Sequence, residues 1–112
     1  MNVLIEFEVD SVELNLDEQT LMVDGKLYRG PIKTGDSINA IYVLTWSDFD
    51  GKQPSASKIV SLQKVSLSIS RIFSFRRYLN ELSQGHTATI QINGEIDDLK
   101  KIQAGMCIGF VD

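Results

Sequence analysis

Apolar and polar residues alternate with a period of two along most of this chain. Val3, Ile5, Phe7 and Val9 interleave with Leu4, Glu6 and Glu8, and Val12, Leu14 and Leu16 carry the alternation to a turn at residues 17–19. Successive side chains of a strand point to opposite faces, so the pattern predicts a strand with one wetter face. Thr20 to Val23 reads as the next strand, ended by Asp24–Gly25, a dipeptide suited to the positive φ angles of a tight hairpin turn. A strand from Lys26 to Arg29, a turn from Lys33 to Asp36 and a β-rich run from Ser37 to Trp46 follow, the last expected in the middle of a sheet.

Residues 47–57 are rich in Gly, Pro, Ser and Asp and read as a loop. From Ile59 to Ile72 the alternation returns, with Val65, Leu67 and Ile69 between Ser66, Ser68 and Ser70. His86 to Ile92 is β-like and is expected to end in a second hairpin-type turn at Asn93–Gly94. Asp97 to Ile102 suits one helical turn, with acids first and lysines last as the helix dipole favours, and Met106 to Val111 closes as a strand. The fold class is therefore all-β: a single antiparallel β-barrel or sandwich of six or more strands, with at most one short helical turn. At 112 residues, the expectation is one domain over 1–112.

Composition alters this picture through the placement of charge. The net charge is only −4, but residues 1–24 hold seven acids and no Lys or Arg, whereas residues 52–77 hold six Lys or Arg and no acid. Two faces of opposite sign would attract different partners. The alternative, and the expected one, sets the acidic strands beside the basic ones so that cross-strand pairs neutralise them. Overall acidity argues against non-specific coating of nucleic acid, which needs a continuous basic surface. The opening residues lack the positive region and unbroken apolar stretch of a signal peptide, so a cytoplasmic location without membrane contact is expected. Cys107, the single cysteine, sits in the apolar run MCIGF and reads as a buried, inert thiol.

Chemical motifs mostly fail on inspection. Gly25 and Gly30 have the spacing of a phosphate loop, yet Pro31–Ile32 stands where Lys and Ser or Thr are needed. Asp48, Asp50 and Gly51 lack the glutamate that would close a calcium loop. His86 has no second ligand at metal spacing, no G-x-S-x-G elbow occurs, and adjacent Asp97 and Asp98 point apart. No catalytic residue, cofactor site or metal site is expected, and the chain reads as a non-enzyme. The sequence Phe73, Phe75, Arg76, Arg77 and Tyr78 is more suggestive, because aromatics beside guanidinium groups can stack bases and neutralise phosphates. The plainer expectation puts Phe73 and Phe75 on the core side of a strand, with Arg76 and Arg77 solvated in the following loop. Trp46, at a strand end beside the loop, is a further candidate contact.

The stretch from Gly25 through Gly30, Ile32, Gly35 and Asp36 to Ile38 resembles a signature of translational GTPases of the elongation factor Tu type, G-x-x-x-x-G-x-[IV]-x-x-G-D-x-[IV]. That signature belongs to their second, β-barrel domain. The run from Ile69 to Gly94, with its Arg-rich segment, and Gly105–Met106 near the end are similar to later parts of the same domain, so the resemblance covers roughly residues 10–112. It implies a translation-factor barrel without the GTP-binding domain, hence no GTPase activity. In that family a glutamate and an arginine of the Arg-rich segment help hold the aminoacyl end of tRNA. Here the arginine position falls on Arg76 and the glutamate position on Phe73, while Asp17, Glu18 and Gln19 replace a Gly-Arg-Gly turn. A phenylalanine cannot accept a ribose hydroxyl proton, and acids repel phosphate.

These residues point first to a non-catalytic module that binds a protein partner, as a regulator or an immunity-type protein that masks a basic toxin, steered by acids such as Glu13, Asp17 and Glu18. The alternative is an RNA-binding module that contacts tRNA ends or single-stranded RNA through Phe73 to Arg77.

Overall fold

The computed structural model describes residues 2–46 and 57–112, the side chains of Trp46 and Ser57 excepted. Nine strands and one short helix follow one another as β1 (Val3–Asn15), β2 (Thr20–Arg29), β3 (Ile32–Lys33), β4 (Ser37–Trp46), β5 (Ser57–Ser74), β6 (Arg77–Leu79), β7 (Glu81–Leu82), β8 (Thr87–Gly94), α1 (Ile96–Leu99) and β9 (Cys107–Val111). The main sheet runs β4-β9-β1-β2-β8-β5-β6, and β4 also pairs with β5, so six antiparallel strands close into a ring with β6 appended to β5. Closure removes the free edges at which sheets aggregate.

The ring encloses a core that includes Phe7, Val23, Leu27, Ile41, Ile72, Ile90 and Ile108, each 0% exposed. Helix α1 follows β8 and seats Leu99 in this core, and the small β3–β7 pair adds Ile32 and Leu82. A second cluster of Ala40, Tyr42 and Cys107 is covered by Leu44, Ile59, Leu62 and Val111. Its Tyr42 hydroxyl donates to Glu6 Oε1 at 2.6 Å. The amide of Asn39 grips the backbone N–H and carbonyl of Val111.

Both expected Gly hairpins lie instead inside strands. Asp24 and Gly25 sit within β2, where Gly25 pairs with Val9 on β1 and Ala88 on β8. A Cβ there would lie 1.9 Å from the carbonyl oxygen of Glu8, so the residue serves close strand approach rather than a turn. Asn93 and Gly94 likewise belong to β8, opposite Ser68 and Leu67. The turn after β1 does fall at residues 16–19. The helix is shorter than expected: it ends at Leu99, and Lys101 bonds back to Asp98 at 3.1 Å. The predicted loop, save Ser57 at the start of β5, lies outside the described residues.

Candidate binding site

Strand β5 carries the chemistry, and an irregularity decides which side chains it exposes. Before residue 70 the odd positions Val65, Leu67 and Ile69 point inward; beyond it the even positions Ile72 and Ser74 do. The register against β8 slips between Ile69 and Arg71, because Ile69 faces Ile92 and Arg71 faces Gln91. One extra residue in a strand reverses the phase of every later side chain. Ser70 occupies the bulge and donates to the Gln91 carbonyl at 3.1 Å.

This phase change corrects the core-side expectation for the two phenylalanines. Phe73 is 39% exposed and Phe75 63%, while Ser74 between them is buried and donates to the Thr87 carbonyl. Arg76 and Arg77 are both exposed, Arg76 in the turn and Arg77 at the start of β6, opposite Ser74. Phe73 packs edge-to-face on Tyr78 at 5.3 Å, and the Arg71 guanidinium lies 5.6 Å from the Tyr78 ring centre. Phe75 meets the His86 ring edge-to-face at 5.2 Å. Sequence reading did not single out Arg71 and weighed His86 only as a metal ligand or lone acid or base, because the bulge and the fold, not spacing, bring them to these aromatics.

The turn between β5 and β6 has only Phe75 and Arg76 between paired Ser74 and Arg77, and both have positive φ, 54° and 63°. That is the demand of a type I′ turn, usually met by Asn–Gly. Non-glycine residues in this region are strained by about 1 kcal/mol each. Backbone strain of this kind concentrates where a side chain must be presented rather than where stability is best served.

Carboxylates adjoin this patch on the outer surface. Thr89 pairs with both Phe73 and Asp24, and Asp24 accepts from the hydroxyls of Ser11 and Thr89. Asp10 and Asp24 line the shallow hollow beside Phe75. The other candidates lie elsewhere. Glu13 is on β1 opposite Met22, and Asp17 and Glu18 form the β1–β2 tip, which adjoins Asn93 and Gly94. The aromatic patch adjoins Thr87 and Thr89, so the two groups stand toward opposite ends of β8, roughly 13–23 Å apart along the strand. The Phe73–Arg76 segment and the Asp17–Gln19 turn therefore do not form one pocket. Trp46 ends β4, and its side chain lies outside the described residues.

The expected placement of the acidic first strand beside the basic 52–77 segment is also overturned, although Glu6 and Glu8 of β1 stand opposite Arg29 and Lys26 of β2. In the ring, acidic β1 and basic β5 are separated by β2 and β8 on one side and by β9 and β4 on the other, so they form opposite walls. Among the described residues the sole ion pair within 4 Å is Lys101–Asp98.

Cys107 is 2% exposed, and burial first, then Glu6 and Glu8, pushes its thiol up to about 12. At pH 8 only about one molecule in 10⁴ would carry the reactive thiolate. Native protein should thus resist iodoacetamide at pH 8 and react promptly in denaturant, as mass spectrometry would show; rapid native labelling would contradict the burial.

Translation elongation factor SelB from Methanococcus maripaludis in its apo form matches 94% of this chain at a TM-score of 0.64 and 17% sequence identity. The same factor with the GTP analogue GppNHp matches 94% at a TM-score of 0.63, again at 17% identity. The chain folds like one part of a translation elongation factor. It spans 18% of the length of those factors. The fold implied by the Gly25–Ile38 signature is thus the fold observed. No family model matches the chain, and no curated protein matches its sequence. Among the described residues, no helix is long and apolar enough to cross a membrane.

Proposed function

We propose that this barrel is a non-catalytic binding module that takes a protein partner on the face formed by Arg71, Phe73, Phe75, Arg76 and Tyr78, as a regulator or an immunity-type protein. The observation that carries this reading is the strained Phe75–Arg76 turn, which presents two side chains to solvent where Asn–Gly would be more stable. Aromatic residues and arginine also dominate the energetic centres of protein interfaces. RNA contact by the same segment is the competing reading. Asp10 and Asp24 beside Phe75 weigh against it, since phosphates would meet carboxylates there.

Replacing the turn by its favoured residues separates stability from binding. The double change Phe75→Asn with Arg76→Gly should raise stability in urea denaturation by about 1 kcal/mol or more, through relief of the left-handed strain. The same variant should lose the protein partner recovered by affinity capture from lysate, as should Phe73→Ala with Tyr78→Ala. Recovery of RNA without protein, or filter binding of single-stranded RNA that strengthens at low salt, would overturn the protein reading in favour of the RNA one.

A further inference from the structure

The ring of six strands is closed, yet the appended β6 leaves one edge of the sheet open. Among the described residues β6 pairs with β5 alone. Its hairpin fixes which main-chain groups lie on the open side. Ser74 and Arg77 close a two-residue turn and so form a hydrogen-bonded pair, and bonded and non-bonded pairs alternate along an antiparallel ladder. Phe73 and Tyr78 are the next pair, so the N–H and carbonyl of Tyr78 point away from β5. No described main-chain group meets them. Two residues on, the Thr34 N–H donates to the Asn80 carbonyl at 3.0 Å and closes this side of the chain. Beyond its shortness, β6 (RYL) carries no lysine, proline or bulge of the kind that blunts an edge.

Each face of this edge carries a cation. Arg71 stands by the Tyr78 ring on the outer face, and Arg77, opposite Ser74, lies on the reverse face. Glu81, the nearest acid in sequence, stands opposite Lys33 on β3. Asp24 is three strands away, about 14 Å across the sheet.

We propose that the partner enters this face as an extended segment added to β6 as one more strand, an inference that rests on reading the face as a protein-binding surface. The N–H and carbonyl of Tyr78 have the spacing that another extended backbone matches, and nucleic acid offers no such backbone. The residue opposite Tyr78 exchanges two main-chain bonds with it and points to the outer face, where an apolar side chain packs on Tyr78, itself 65% exposed, and on Phe73. The residue opposite Arg77 points to the reverse face, where an acid meets the guanidinium. A hollow of about 460 Å³ adjoins the edge between Thr34, Arg71, Tyr78 and Asn80 and has room for a side chain of the added strand. Two main-chain bonds set the register, and the side chains supply most of the affinity.

A phage-displayed library of random linear peptides, selected on the whole protein, supplies the probe. Binding of the selected peptides, read by fluorescence anisotropy, should weaken roughly ten-fold or more in the variant Phe73→Ala with Tyr78→Ala. On saturation of the unaltered protein, hydrogen exchange at the Tyr78 amide, followed by NMR, should slow about ten-fold or more, because that N–H gains an acceptor. Single N-methylations along the peptide should show one position that costs roughly ten-fold, flanked by neighbours that cost less than about two-fold, because their N–H groups point away from β6. Peptides that bind through Phe73 and Tyr78 without slowing the Tyr78 amide, and with no such sensitive position, overturn the strand addition and leave the face a protein-binding surface. If no peptide is selected while the Phe73→Ala, Tyr78→Ala variant still loses a captured protein, the strand addition again falls alone. If neither a peptide nor a captured protein depends on those two residues, the reading of the face falls with it.

Discussion

Gly25→Ala should destabilise the protein by roughly 3 kcal/mol or more, a severe loss for a domain of this size, whose total stability is expected at about 5–15 kcal/mol. A Cβ at this position would stand 1.9 Å from the Glu8 carbonyl oxygen and 2.6 Å from a ring carbon of Phe7. The Glu8 oxygen is backbone, so it cannot rotate aside as a side-chain end could. Relief would require β1 and β2 to separate where the register between them already slips, between Val9 and Ser11. Gly35→Ala provides the contrast. Gly35 has φ +93° with nothing within 4 Å of a built Cβ, so its cost should be the left-handed backbone alone, about 1–2 kcal/mol. Urea denaturation of both variants measures the difference. Equal, small losses would return Asp24–Gly25 to the role of an ordinary turn.

Phe7→Ala should cost about 3–5 kcal/mol, whereas Phe73→Ala should cost under about 0.5 kcal/mol. Both residues sit on strands with alternating apolar neighbours, and sequence pattern treats them alike. Phe7 is 0% exposed, between Leu27 on β2 and Ile108 on β9, so truncation leaves a cavity inside the ring. Phe73 is 39% exposed and points outward beside Tyr78. Thermal or urea denaturation would separate them. A loss at Phe73 comparable to that at Phe7 would mean that the bulge at Ser70 does not reverse the strand's phase.

Most strands were legible because burial on one face imposes a period of two, as along Val3–Val9 and Val65–Ile69. The Gly25–Ile38 signature added the kind of barrel. The candidate site was legible in part: Phe73, Phe75, Arg76 and Arg77 stood out by type, but their side of the sheet did not. A bulge has no strong sequence mark, and Ser70 looks like the other wet-face serines of its strand. Arg71 and His86 reach the aromatics only through pairing that residue spacing does not encode.

Glycine shows the same division. Asp24–Gly25 and Asn93–Gly94 match the preferred chemistry of a hairpin turn, yet both lie within strands. The two-residue turn with positive φ is Phe75–Arg76, which matches it poorly. Local preference is worth about 1 kcal/mol per residue, and close packing of neighbouring strands outweighs it.

By itself, then, the sequence determined an all-β chain, most of its strands and a segregation of acids from bases. Only the tertiary structure decided that β1 and β5 become opposite walls, because ring closure sets strand neighbours through long-range pairing that no local pattern records. It also decided that Phe73 and Phe75 face solvent, because one bulged residue reverses which side of a strand is buried.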